Sequence, residues 1–459
     1  MKTIRIAGLI CSGLLCLFLQ AGTPVELKGA VRPNVLFLLT DDQRPDTIAA
    51  LGNTAIRTPH LDQLVQRGFV FHNAYCMGST MPAVCNPSRH MIQSGMSLYR
   101  YQAKPTEQTP SLAHSFRQAG YETYHHSKRG NSAREYHKHY EHSHYLEDMV
   151  ERNSGHHGRT AANDAIEFLR MRDHERPFFM YVGFAGPHDP RVAAEEWLQQ
   201  YPLDSLSVPK NHAIFHPFDN GELLIRDELL APWPRTEALV RQHLRDYYAC
   251  ITSIDFHIGR IMETLKQQGE LDNTLILFSS DHGLAIGSHG LFGKQNLYEH
   301  SMRAPMLLAG PGIPRGETSA LMYLHDVFPT LCDLASLDVP AGLDGISQKP
   351  VIRGQQDSVR KTIYLAYKNS QRAVRYGDWK LIRYPLVNRN QLFNLRDDPH
   401  ETRNLAGEDR HQQQLEEMLG LLAVQHEQTG DPHPLTAQDP VSGDIPNAEF
   451  LEARRPPPK

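Results

Sequence analysis

Three short segments carry side chains that could act together on an anion. Thr40-Asp41-Asp42-Gln43 closes a continuous apolar run. Adjacent carboxylates there repel each other unless a positive charge lies between them. A hard divalent cation is the simple partner for such oxygens; a turn with a helix-capping Asp is the alternative. Asp281-His282-Gly283 closes a second apolar run. Ligands of open α/β sheets gather beyond the carboxyl ends of the strands, so Asp281 brings a third acid to the same edge. His282 is a softer donor than calcium prefers, and reads as a ligand or as a group just behind one.

The third segment is Cys85-Asn86-Pro87-Ser88-Arg89. Pro87 suits the first turn of a helix, where its missing N–H is not needed. Cys85 then stands at a helix N-terminus, whose partial positive charge and free N–H groups favour an oxyanion. The same position is expected to lower the thiol pKa. Arg89 adds a planar guanidinium suited to a tetrahedral oxyanion. The spacing alone leaves open a structural cysteine beside a helix start.

These segments need a frame. Apolar runs over 34–39, 178–184, 274–278 and 305–309 read as strands buried on both faces, as in a parallel sheet. Helical periodicity appears near 60–67, 111–119, 160–171, 237–268 and 326–336. The alternation predicts an α/β fold: a large mixed, mostly parallel sheet flanked by helices. Residues 200–235, rich in Pro, Asn and Asp, read as an irregular insertion near the site. After 348 come short strand-like pieces at 363–366, 372–376, 380–383 and 391–393, then a helix at 409–427. They predict a smaller C-terminal antiparallel sheet with a helix. The expected division is a catalytic domain over 30–348, a subdomain over 349–430 and an extended Pro-rich tail over 431–459.

The 459-residue chain has a formal net charge of -5, which gives no footprint for nucleic acid. Lys2 and Arg5 precede an apolar run over 6–19, followed by small and turn-forming residues. This predicts a bacterial-type signal peptide over 1–22, a secreted or periplasmic protein, and no stable membrane anchor. Beyond it lie Cys76, Cys85, Cys250 and Cys332, with no zinc-type spacing and too few for disulfide stapling.

Cys85-x-Pro87-Ser88-Arg89, with Gly95 six residues on, resembles the signature of the type I sulfatases of the alkaline phosphatase superfamily. Ile92 and Ser94 stand where that family usually has Leu and Thr. The likeness runs on through Gly120-Tyr121, Ser127-Lys128, Pro187-His188, Gly293-Lys294, Tyr298-Glu299 and the segment 392–405. It implies oxidation of Cys85 to Cα-formylglycine by a maturation enzyme. It implies one Ca2+ per chain, or Mg2+, held by Asp41, Asp42, residue 85, Asp281 and His282. It implies catalytic roles for Cys85, Arg89, Lys128, His188 and Lys294, with Lys128 read as lying in a loop. Asp189 and Arg191 are expected near the substrate.

The resemblance also implies a reaction. The aldehyde hydrates to a geminal diol, one hydroxyl attacks sulfur, and Asp281 receives the proton. Lys294, Lys128 and Arg89 hold the sulfate oxygens. His188 or Lys294 protonates the leaving alcohol. The second hydroxyl then expels sulfate. One departure stands out: the family commonly has a His where this chain has Gly130, and His125, His126 and Asn131 are the candidates to replace it. The substrate implied is a sulfated small molecule or glycan, most readily a sulfated carbohydrate. Choline sulfate, an aryl sulfate, a phosphonate or a phosphodiester are the other substrates this superfamily would accommodate. An unmodified cysteine hydrolase and a sulfated-glycan-binding protein without catalysis are the readings from other classes.

Overall fold

The run that ends in Asp41-Asp42 forms a fully buried strand, Asn34–Thr40, at the centre of a nine-stranded sheet. A computed structural model describes residues 32–101, 103–106 and 109–445. The signal-peptide expectation over 1–22 lies outside the described residues, as does the end of the tail from 446.

In chain order the strands are β1 (Asn34–Thr40), β2 (Phe69–Tyr75), β3 (Gly78–Ser79), β4 (Glu122–Lys128), β5 (His142–Leu146), β6 (Phe178–Gly183) and β7 (Thr274–Ser280). There follow β8 (Arg303–Ala304), β9 (Met306–Ala309), β10 (Gly316–Tyr323), β11 (Thr362–Tyr367), β12 (Gln371–Tyr376), β13 (Trp379–Tyr384) and β14 (Arg389–Asn394). The large sheet runs β10-β2-β9-β7-β1-β6-β4-β5, with β8 paired to β2. Strands β7, β1, β6, β4 and β5 are mutually parallel, and β9 runs against β7 and β2. This is the mixed, mostly parallel sheet expected from the sequence.

Strand β1 shows why its sequence is apolar throughout. Val35, Phe37 and Leu39 face one core, with Met91, Ile92, Phe116 and Val327 from helices Cys85–Ser94, Leu112–Gln118 and Val327–Leu334. Leu36 and Leu38 face the other, with Leu61, Ile166, Ile254 and Ile258 from helices Pro59–Arg67, Arg159–Met171 and Glu237–Gln267. A strand with helices on both faces has no side left for polar residues.

The second sheet runs β14-β13-β12-β11-β3, antiparallel except for β3, which joins β11 in parallel. Helix Gln412–Thr429 packs on it. Gly78 makes the junction possible: it has φ 108°, and a Cβ there would stand 1.9 Å from the Ala366 carbonyl oxygen. Residues 431–445 form no helix or strand, but Asp431 ties them down. Its carboxylate accepts from Tyr99 and Tyr364 at 2.6 Å each and from Arg372 at 3.0 Å.

Lys128 needs a correction. It ends strand β4 and does not lie in a loop. The strand reads Glu-Thr-Tyr-His-His-Ser-Lys, yet all seven residues are buried between β6 and β5. Its polar composition hides it from pattern reading.

Candidate active site

The carboxyl ends of the central parallel strands converge. Asp41 N–H donates to Gly186 O at 3.1 Å, and Asp281 N–H donates to Thr40 O at 3.2 Å. These bonds lock the segments after β1, β6 and β7 together. Asp42 has φ 70°, a left-handed conformation that aspartate tolerates better than most residues. Its N–H donates to Asp281 Oδ1 at 3.1 Å. Helix Cys85–Ser94 starts at this edge, and Ser88 Oγ–H donates to Asp281 O at 2.6 Å.

Cys85 Sγ lies 3.3 Å from both His282 Nε2 and Lys294 Nζ, 3.4 Å from Asp41 Oδ1 and 3.7 Å from Asp42 Oδ1. Lys294 Nζ donates to Asp42 Oδ1 at 2.8 Å and Oδ2 at 3.0 Å. Lys128 Nζ pairs with Asp41 Oδ2. His188 Nε2 lies 3.9 Å from Asp42 Oδ2, while its Nδ1 donates to Asp189 O at 2.8 Å. All five candidate catalytic side chains and all the candidate metal ligands therefore meet in one buried cluster.

Arg89 is placed differently from the expectation that it grips sulfate. Its Nε donates to Asp281 Oδ2 at 2.9 Å and its Nη2 to Asp41 Oδ2 at 3.2 Å; Nη1 donates to Ser127 Oγ at 3.2 Å. The guanidinium has no solvent exposure and does not line the cavity. It braces two carboxylates from behind.

Burial raises the Asp41 carboxyl, but Lys128 and Arg89 more than offset this and hold it well below the usual range. Asp42 goes up: burial dominates, Lys294 and His282 offset it only partly, and Asp41 and Asp281 add to it. Burial lowers Lys294, yet Asp42 outweighs this and raises it well above an ordinary lysine. His188 falls well below its usual value through burial and then Lys294. The Cys85 thiol is pushed well up, by burial and then Asp41. This reverses the expected lowering: the helix N-terminus is outweighed by desolvation and a neighbouring carboxylate.

A divalent cation fits these residues. The donor atoms of Asp42, Cys85, Asp281 and His282 lie within 4.8 Å of one another, and so do those of Asp41, Asp42, Cys85 and His188. His282 Nδ1 donates to Gly283 O at 2.8 Å. In the neutral ring, Nε2 then presents its lone pair to Asp42 Oδ1 at 3.6 Å and Asp281 Oδ1 at 3.7 Å. Lone pairs facing one another in a buried pocket call for a positive ion between them.

Above the cluster opens a cavity of about 360 Å³. Lys128, His188 and Lys294 line it, and so do Arg152 and Arg226, which carry no recognisable motif. Only the irregular composition of 200–235 pointed toward Arg226; nothing in the sequence singled out Arg152. Asp189 holds Arg226 through both carboxylate oxygens, with Nη1–Oδ1 at 2.9 Å. Asp227 takes Arg226 Nη1 at 2.7 Å and stands 3.8 Å from Lys294. Arg191 lies away from the cavity wall, over the Tyr247 ring at 5.4 Å, with Nε on Pro187 O. Of the candidates to replace the family His, His126 pairs with Asp164 and His125 stacks on His137. Asn131 alone of the three reaches the cavity.

Fold and site together present a buried acidic cluster able to hold a metal ion, beneath a cavity lined by cations. A sulfatase family profile matches residues 33–337, and one for the N-sulphoglucosamine sulphohydrolase C-terminal region matches 287–428. The chain belongs to the sulfatase family, as a type I sulfatase of the alkaline phosphatase superfamily. It is 30% identical to a choline-sulfatase of Rhizobium meliloti, over 83% of each chain. It is 26% identical to an N-acetylglucosamine-6-O-sulfatase of Bacteroides thetaiotaomicron, over 88% of each. Two solved structures share its fold, each with a TM-score of 0.74. One was solved with its substrate D-glucosamine-2-N,6-O-disulfate (23% identity, 88% of this chain and 99% of that one). The other is the phosphonate monoester hydrolase of Agrobacterium radiobacter (21% identity, 87% and 96%).

Proposed function

We propose that this sulfuric ester hydrolase is secreted or periplasmic and removes sulfate from a sulfated carbohydrate, using Ca2+ and a formylglycine at position 85. The observation that carries the reaction is the meeting of Cys85, Lys294 and Asp42 within hydrogen-bond reach. Nucleophile position, anion-binding cation and metal carboxylate share one point.

The cavity favours a carbohydrate. Most of its lining side chains are polar or charged, Pro82, Ala83 and Ile225 are the apolar ones, and no Phe, Tyr or Trp is among them in the described residues. Choline recognition calls for an aromatic cage, and an aryl group for apolar walls.

Asp41, Asp42, Asp281 and His282, with residue 85, would hold the cation. When bound, the cation would supply charge stabilisation to the ester oxygens, and a formylglycine at position 85 would supply the nucleophilic hydroxyl and a route for releasing sulfate. Arg89 keeps Asp41 and Asp281 in register. Lys294 and Lys128 hold sulfate oxygens as charge shifts in the transition state. His188, its Nδ1–H held by Asp189 O, would take a proton from solvent onto Nε2 as the anionic ester binds and give it to the leaving oxygen. Asp281 Oδ1 and Oδ2 already accept from Asp42 N–H and Arg89 Nε. Both oxygens of Asp42 likewise accept from Lys294, so Asp41 Oδ1, 3.4 Å from Sγ, is better placed to take the proton of residue 85.

Cys85 is 1% exposed, so the maturation enzyme must act before the chain closes. The proposed secretion rests on Lys2, Arg5 and the apolar run over 6–19. Among the described residues no helix is long and apolar enough to cross a membrane.

The test is initial-rate sulfate release from N-acetylglucosamine 6-sulfate, choline sulfate and 4-nitrophenyl sulfate, with bis(4-nitrophenyl) phosphate alongside. The expected order puts the sugar sulfate first. Faster turnover of the phosphodiester would favour the phosphonate hydrolase reading instead.

A further inference from the structure

Four cations line the cavity, and three have carboxylate partners. Lys128 pairs with Asp41, Lys294 with Asp42, and Arg226 with Asp189 and Asp227. Arg152 is the exception. Its Nε donates to Ala185 O at 3.2 Å and its Nη1 to Asp189 O at 3.0 Å. Among the described residues it has no carboxylate within ion-pair distance, and Nη2 has no hydrogen-bond partner. The nearby Asp148 is spent on the loop, accepting from Arg129 N–H at 2.9 Å and Gly130 N–H at 3.4 Å.

Arg152 is only 7% exposed. A guanidinium stays charged at any working pH. Burying such a charge with no carboxylate in direct contact is unfavourable, Asp41 acting on it only at longer range, and the deficit is reduced when an anion arrives. That anion has to come from the cavity. Arg152 touches neither Cys85 nor any of the three clustered carboxylates. It is held by the Ala185 and Asp189 carbonyls, in the segment that carries His188, and lines the same cavity without touching residue 85.

From this we infer that Arg152 is a specificity residue that receives a second anionic group of the substrate, a carboxylate or a further sulfate. The inference rests on the sulfatase reading and narrows it: the preferred carbohydrate carries at least two negative charges. The guanidinium offers Nη2, with Nη1 partly shared, in a planar fork that suits either oxyanion.

The experiment uses the full-length, calcium-loaded Cys85→Ala protein, which binds without turnover. Calorimetry compares N-acetylglucosamine 6-sulfate, with one anion, and D-glucosamine 2-N,6-O-disulfate, with two. The expected result is at least about tenfold tighter binding of the disulfate, a change an added charge-assisted bond readily gives. Arg152→Gln should bring the ratio close to one, and Arg152→Lys should recover part of it. A merely structural Arg152 would weaken both probes together. An equal loss for both, an unchanged ratio in Arg152→Gln, or no preference in the parent would each overturn the inference. Sulfate release by the Cys85 enzyme is read separately. If it releases none, the sulfatase reading fails while the binding ratio still decides the role of Arg152.

Discussion

Lys294 Nζ stands 3.3 Å from Cys85 Sγ, while the same nitrogen donates to both oxygens of Asp42 at 2.8 and 3.0 Å. One ammonium thus touches the position of the nucleophile and a candidate metal ligand. Lys294→Met keeps the stem but removes the charge. The expected loss in kcat/KM on 4-nitrophenyl sulfate is roughly 10²–10³-fold, the scale of removing one preorganised transition-state donor. A loss below about fivefold would place Lys294 outside the reaction.

Arg89 should behave as a structural brace of the site. Arg89→Ala takes the guanidinium from Asp281 and leaves Asp41 with Lys128 alone, both carboxylates fully buried. Removing one partner of a buried ion pair costs about 3–5 kcal/mol. Thermal unfolding should show a fall of several degrees together with loss of activity. Arg89→Lys should recover little, because an ammonium cannot serve Asp41, Asp281 and Ser127 with one rigid fork. A soluble Arg89→Lys enzyme of wild-type stability and activity would contradict this.

Cation removal has a stability readout of its own. Three buried carboxylates meet at the floor of the cavity, so a bound cation stabilises the folded state by mass action, about 2.7 kcal/mol at a hundredfold excess over Kd. Chelation should lower Tm and abolish turnover, and calcium should restore both in proportion to its concentration. Tm unmoved by either treatment would speak against the metal assignment.

Asp255 makes a pH prediction away from the site. Its carboxylate accepts from His60 N–H at 3.1 Å and Leu61 N–H at 2.7 Å, at the start of helix Pro59–Arg67. Burial, only partly offset by these bonds, pushes its pKa from 3.8 to about 7. A carboxyl raised on folding binds its proton more tightly in the native state. Its contribution is full below the unfolded pKa and is lost as pH rises toward about 7. Asp255→Asn keeps an acceptor and removes the titration. Wild-type Tm should therefore fall relative to the variant between about pH 4 and 7. Parallel Tm profiles would contradict this.

The sequence revealed some parts of this molecule and hid others for physical reasons. Strands β1, β6 and β7 stand out because burial on both faces demands continuous apolar residues, and the acids that follow them mark the catalytic edge. Strand β4 is equally buried, but its histidines and its terminal Lys128 read as loop. The class of the site was legible in Cys85, Pro87 and Arg89. The outward-facing wall was not, because Arg152 and Arg226 reach the cavity from segments whose arrangement is set by tertiary packing. Even at Cys85 the local signal pointed the wrong way for the thiol: a helix N-terminus favours the anion, and burial beside Asp41 reverses it.

The most direct test of the central claim is mass spectrometry of the peptide containing Cys85, on protein produced with its maturation enzyme and shown to release sulfate. A peptide about 18 Da lighter than the cysteine form, as conversion to formylglycine requires, is the expected result. An unmodified thiol in protein that turns over a sulfate ester would contradict it.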